Sequence, residues 1–110
     1  MKYDEDKVDI SLLPPKAIYQ IAQVMQFGAK KYSRDNWRSD KNTPWCRTYS
    51  SIQRHLLSWL GGEDCDPETG ESHIAHAAAQ CMILLVHEYE QPHMDNRYKE
   101  NEDVNGNRKE

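Results

Sequence analysis

Within residues 54–76 the 110-residue chain carries three histidines, His55, His73 and His76, and five acidic residues, Glu63, Asp64, Asp66, Glu68 and Glu71. Imidazole and carboxylate are the side chains that bind divalent metals and move protons near neutral pH, and a fold seldom needs so many of them at one turn. The cluster therefore reads as a metal-dependent hydrolytic site. His73 and His76 stand at i, i+3, which projects both rings from one face of a helix about 5 Å apart, suited to one ion or one polarised network. Glu63 and Asp66, on either side of Cys65, are the acids expected to turn inward. Asp64, Glu68 and Glu71 suit a solvated turn. A calcium loop is disfavoured, because Gly70 comes one place late for the EF-hand pattern and Pro67 interrupts it.

The elements that must hold these residues are helical. A first helix is expected over residues 15–32, started by Pro14-Pro15, with Ile18, Ile21, Ala22, Met25, Ala29 and Tyr32 recurring at three and four. Gly28 on its flank implies either a closely packed neighbour or a backbone that approaches a ligand. Residues 33–47 read as a polar loop whose Trp37 and Trp45 either cap the small core or stack on a base beside Lys30, Lys31 and Arg38. A second helix, residues 48–60, buries Tyr49, Ile52, Leu56, Trp59 and Leu60 and sets His55 at the edge of that face. Gly61-Gly62 ends it, residues 66–70 form a turn, and Ser72 suits the N-cap of a third helix over residues 73–89. That helix is apolar around almost its whole circumference, except for a stripe of His73, His76, Gln80 and His87. Buried imidazoles need partners, which the acidic turn can supply, while His87 reads as a satisfied core residue.

The predicted architecture is all-α: a small bundle of three main helices completed by oligomerisation, as a homodimer or higher assembly. One domain, residues 1–90 with an N-terminal arm, precedes a polar tail at residues 91–110 expected to be flexible. With 14 Lys plus Arg against 18 Asp plus Glu, no broad basic field exists to hold duplex nucleic acid. Three cysteines without a CxxC spacing argue against a disulfide framework and for a reducing cytoplasm. Residues 1–7 are acidic where a signal peptide would be basic, and no run approaches the ~18 apolar residues of a membrane span.

In their order and spacing, KVDISLLP (7–14), FGAKKYSRDNW (27–37), RHLLSW (54–59), GEDCD (62–66), PETG (67–70) and HIAHA (73–77) resemble the phage-associated dATP/dGTP diphosphohydrolase N-terminal family, relatives of the MazG-like all-α nucleoside triphosphate pyrophosphohydrolases. The resemblance covers about residues 2–90. It implies an intracellular, often phage-encoded enzyme that cleaves a purine deoxynucleoside triphosphate to monophosphate and pyrophosphate with divalent cations, adjusting the nucleotide pool during viral replication. The wider superfamily places metal-binding carboxylates at Glu-x-x-Glu and Glu-x-x-Asp on successive helices. Here His73 and His76 stand where the second pair is expected, and His55 has no acidic pair on its helix. Imidazole ligands move the expectation from magnesium toward manganese, with magnesium held through Glu63, Asp66 and the triphosphate still open and zinc less favoured.

Under that resemblance Glu63, Asp66, His73 and His76 position metal, and His55 or Glu63 takes the proton of the attacking water. Lys7, Lys31 and Arg54 meet phosphates, and Asn36 and Trp37 meet the base or sugar. Two other readings stay open: a zinc-stabilised, non-catalytic helical module using His55, Cys65, His73 and His76, and a nucleotide phosphomonoesterase of the histidine-aspartate kind.

Overall fold

The computed structural model describes residues 6–100, which fold as α1 (Pro15–Lys31), α2 (Asn36–Ser39), α3 (Trp45–Leu60) and α4 (His73–Glu90), with 3-10 turns at Ile10–Leu12 and Pro92–Met94. Among these residues the one strand-like pairing is an isolated bridge between Cys65 and Ser72, so the expected all-α class holds. No helix in them is long and apolar enough to cross a membrane. α4 is central: α3 packs along it antiparallel, and α1 lies against another side.

Local chemistry sets most boundaries. Pro14 is extended and Pro15 opens α1. α3 ends in a Schellman motif: the Glu63 N–H donates to Ser58 O and the Gly62 N–H to Trp59 O, both at 3.0 Å, with Gly62 at φ +104°. Ser72 Oγ accepts the Ile74 N–H at 3.1 Å and caps α4, as its sequence position foretells.

Two boundaries differ from expectation because distant residues hold them. α3 begins at Trp45, three residues before position 48: extended Pro44 sets its entry, and the Asn96 side chain accepts the Cys46 N–H at 3.0 Å across 50 residues. α2, inside the expected loop, is four residues long and too short to stand alone. It is clamped to the end of α4. His87 Nε2 donates to Trp37 O at 2.9 Å, Gln91 Nε2 donates to Arg38 O at 3.2 Å, and Arg38 grips Glu90 with two nitrogens, the shorter bond 2.6 Å. His87 is thus a satisfied structural residue at Nε2. Residues 91–99, set apart above as tail, also pack: Met94 is buried, and the Arg97 guanidinium lies 5.1 Å from the Trp45 ring, which fills the core end. The rest of that tail, residues 101–110, and residues 1–5 of the arm lie outside the described residues.

Arg38, through hydrogen bonds and its charge, holds the Glu90 carboxyl below its ordinary 4.5. A depressed carboxyl stabilises the fold above its unfolded pKa and loses that contribution as pH falls through the folded value. The melting temperature is therefore expected to decline below about pH 4.5, and Glu90→Gln to lower it at pH 7 while flattening that decline, as read by thermal unfolding across pH.

The buried faces depart from the simple amphipathic picture. Of the expected α3 core residues, Ile52 is buried and Leu56 half-buried, but Tyr49, Trp59 and Leu60 are exposed. In α1, Ile18 and Tyr32 are exposed as well. α4 is inverted: it buries His73, Ala75, Ala77, Ala79 and His87, and turns Ile74 (42% exposed), Met82 (40%), Leu85 (59%) and Tyr89 (67%) outward. Of the polar stripe, His73 and His76 meet His55 of α3, whereas His87 turns to Trp37 of α2.

Candidate active site

The Schellman turn delivers Glu63 to the open end of the α3–α4 pair. From there residues 64–73 close on themselves, with the Asp66 N–H donating to Glu71 O at 2.8 Å and the His73 N–H to Asp64 O at 3.0 Å. Asp66 Oδ1 accepts the N–H groups of Glu68 (2.8 Å) and Thr69 (3.2 Å), an Asx turn that Gly70, at φ +74°, completes. The turn's carboxylate is therefore fixed beside the first turn of α4 and the middle of α3.

Three rings and two acids meet at that point. His73, 3% exposed, donates from Nε2 to Glu63 Oε1 at 2.6 Å, since a carboxylate only accepts. His73 Nδ1 lies 2.9 Å from His55 Nδ1, and since one nitrogen of such a pair must accept, a His73 ring with its proton on Nε2 accepts the His55 N–H. The His55 ring stacks on His76 at 4.6 Å and 5°. The Thr69 hydroxyl accepts the Glu71 N–H and is hydrogen-bonded to His76 Nε2 at 2.7 Å.

Ligand atoms of His55, Asp66 and His73 lie within 4.8 Å of one another and could hold a metal ion. Opposite ligands of a first-row ion at ~2.1 Å are separated by about 4.2 Å, and adjacent ones by about 3.0 Å. The 2.9 Å nitrogen pair matches the spacing of adjacent ligands, and Asp66 lies within 4.8 Å of both rings' ligand atoms. As a ligand through Nδ1, His55 would carry its proton on Nε2 instead. The Glu63–His73 hydrogen bond is the outer partner that fixes a metal-binding imidazole's tautomer. Glu63, His76 and Cys65 are outside the three-residue group.

The charges suit a cation. Burial, then the neighbouring His76 and His73, holds His55 below the usual 6.5. Burial also lowers His76, with His73 adding to it against the opposing pull of Asp66. Burial pushes the Asp66 carboxyl up, but the two turn N–H groups and the His76 and His55 rings outweigh it and leave it below 3.8. Both shifts favour the neutral forms of His55 and His76 beside an ionised Asp66 carboxylate at pH 7.

His55, Asp66 and His76 line a cleft of about 410 Å³ whose other walls come from α1, α2 and α4. Lys31, Asn36 and Trp37, singled out from sequence, line it too, and Gly28 opens onto it with nothing within 4 Å of an added Cβ, so no helix packs closely there. Lys31 pairs with Glu68 at 3.5 Å. Arg54 borders a second recess, beside His55, Glu63, Asp66 and His73, and donates to Ser50 Oγ. Lys7 is exposed on the arm and lines neither space. Sequence reasoning missed Thr69, whose partner on the next helix no local pattern reveals.

Residues 1–97 match the family model described as dATP/dGTP diphosphohydrolase, N-terminal. The dATP/dGTP diphosphohydrolase of Salmonella phage PMBT28 is 34% identical over 97 residues, which are 88% of this chain and 32% of that protein, so the chain spans about a third of the relative's length. No solved structure matches the chain.

Proposed function

The chain belongs to the dATP/dGTP diphosphohydrolase N-terminal family, and from that premise we propose that it hydrolyses purine deoxynucleoside triphosphates to monophosphate and pyrophosphate, using a divalent cation held by His55, Asp66 and His73. The observation that carries the reading is this ligand group, two of whose members, His55 and Asp66, line a cleft large enough for a nucleotide. In an infected host's cytoplasm the activity would adjust the purine deoxynucleotide pool.

A bound cation would neutralise part of the polyphosphate's charge and lower the pKa of water. The chain's own groups do the rest. Glu63, which lines the recess shared with Arg54, fixes His73 through Oε1, and its second oxygen is the proposed acceptor of the attacking water's proton. Arg54 in that recess, and Lys31 once a phosphate displaces Glu68, supply cations to the polyphosphate. Asn36 and Trp37 take the sugar or base in the cleft. Two imidazoles favour manganese over magnesium in the ligand set, although magnesium can rely on Asp66 and the triphosphate; a closed four-ligand structural zinc is less favoured because Cys65 and His76 stand outside the group.

Incubating the protein with each dNTP and NTP plus Mg2+ or Mn2+ tests this. Pyrophosphate from dATP or dGTP supports it; orthophosphate would indicate a phosphomonoesterase, and no product from any nucleotide overturns it.

We also propose that the chain assembles as a homodimer or larger oligomer through the outward face of α4. Ile74, Met82, Leu85 and Tyr89 form an exposed apolar stripe along one face of α4, the kind of surface a second copy can cover. Leu85→Glu is expected to lower the sedimenting mass to that of a single chain.

A further inference from the structure

Gln80 lies one turn beyond His76 on the inward stripe of α4, and it has no hydrogen-bond partner. Its Oε1 is buried and unpaired. The residue forms part of the wall between the main cleft and an adjoining recess, where its neighbours include Trp37, Asp40 and Ile83. An unpaired buried amide is costly unless something enters to meet it. Asp40, the other polar group on that wall, is already committed: one carboxylate oxygen accepts the Asn42 N–H at 2.8 Å and the other the Thr43 hydroxyl. Trp37, Phe27 and Ile83 make the surroundings flat and apolar, as a heterocyclic ring requires.

We propose that Gln80 reads the nucleobase, and that its amide serves both purines by turning over. The inference rests on the purine deoxynucleotide reading above. Adenine presents the N6 donor beside the N1 acceptor; guanine presents the N1 donor beside the O6 acceptor. A primary amide offers one acceptor and one donor side by side, so a 180° rotation matches either edge. The rotation is free because no protein bond holds the amide in one orientation.

The test is equilibrium binding, by calorimetry at pH 8 with Mg2+, of the α,β-methylene analogues of dATP and dGTP, which cannot be cleaved at the reacting bond. Wild-type protein should bind both within a few-fold. Gln80→Glu should shift the ratio about tenfold toward the guanine analogue, because a carboxylate accepts guanine N1–H and N2–H but faces the adenine N1 lone pair. Gln80→Leu should weaken both about tenfold. A ratio within twofold of wild type in folded Gln80→Glu, or full affinity in Gln80→Leu, overturns the role of Gln80 alone. Wild-type protein that binds neither analogue overturns this role and the substrate reading together.

Discussion

Asp66→Asn is expected to cut pyrophosphate release from dATP or dGTP by about a thousandfold, the scale of losing a charged ligand that holds a catalytic cation. The substitution is chosen because it spares the fold. Asparagine Oδ1 can accept the same Glu68 and Thr69 N–H groups, so the turn over the α3–α4 end should persist. What disappears is the negative charge beside His55 and His73, and with it most of the affinity for a divalent ion. The measurement is the turnover rate, with circular dichroism showing unchanged helices. Turnover within threefold of wild type would remove Asp66 from the machinery.

Glu63 should show a graded response. The amide introduced by Glu63→Gln still accepts from His73 Nε2 and keeps that ring's tautomer, but it cannot take a proton; Glu63→Ala loses both functions. Loss of an outer partner of a metal-binding histidine costs ~10–100-fold, and loss of a general base ~100–10,000-fold. The expected order is wild type, then Glu63→Gln at about a hundredfold lower turnover, then Glu63→Ala lower still. If Glu63→Gln retains full rate and only Glu63→Ala fails, Glu63 orients His73 and accepts no proton.

The gathering of the cluster was more legible in the sequence than the packing. The histidine and acid cluster, the Gly62 stop and the Ser72 cap are local signals, and each lies where its spacing puts it. The same spacing did not reveal which partner each ring takes: from adjacent turns of α4, His73 reaches Glu63 and His55, whereas His76 reaches Thr69 and stacks on His55. α2 and the start of α3 were opaque because Arg38–Glu90 and Asn96–Cys46 join residues about fifty positions apart. Tyr49, Trp59 and Leu60 were misplaced in the core for another reason. Hydrophobic period marks a face that avoids water, not whether this chain or another covers it.

The most direct measurement uses protein stripped by a chelator, followed by circular dichroism and by product analysis with dATP and dGTP as Mg2+ or Mn2+ is added back. A folded, inactive chain that releases pyrophosphate once either ion returns is the expected result. Undiminished release from the stripped protein, or a folded chain that remains inactive with both ions, would contradict a catalytic cation at His55, Asp66 and His73.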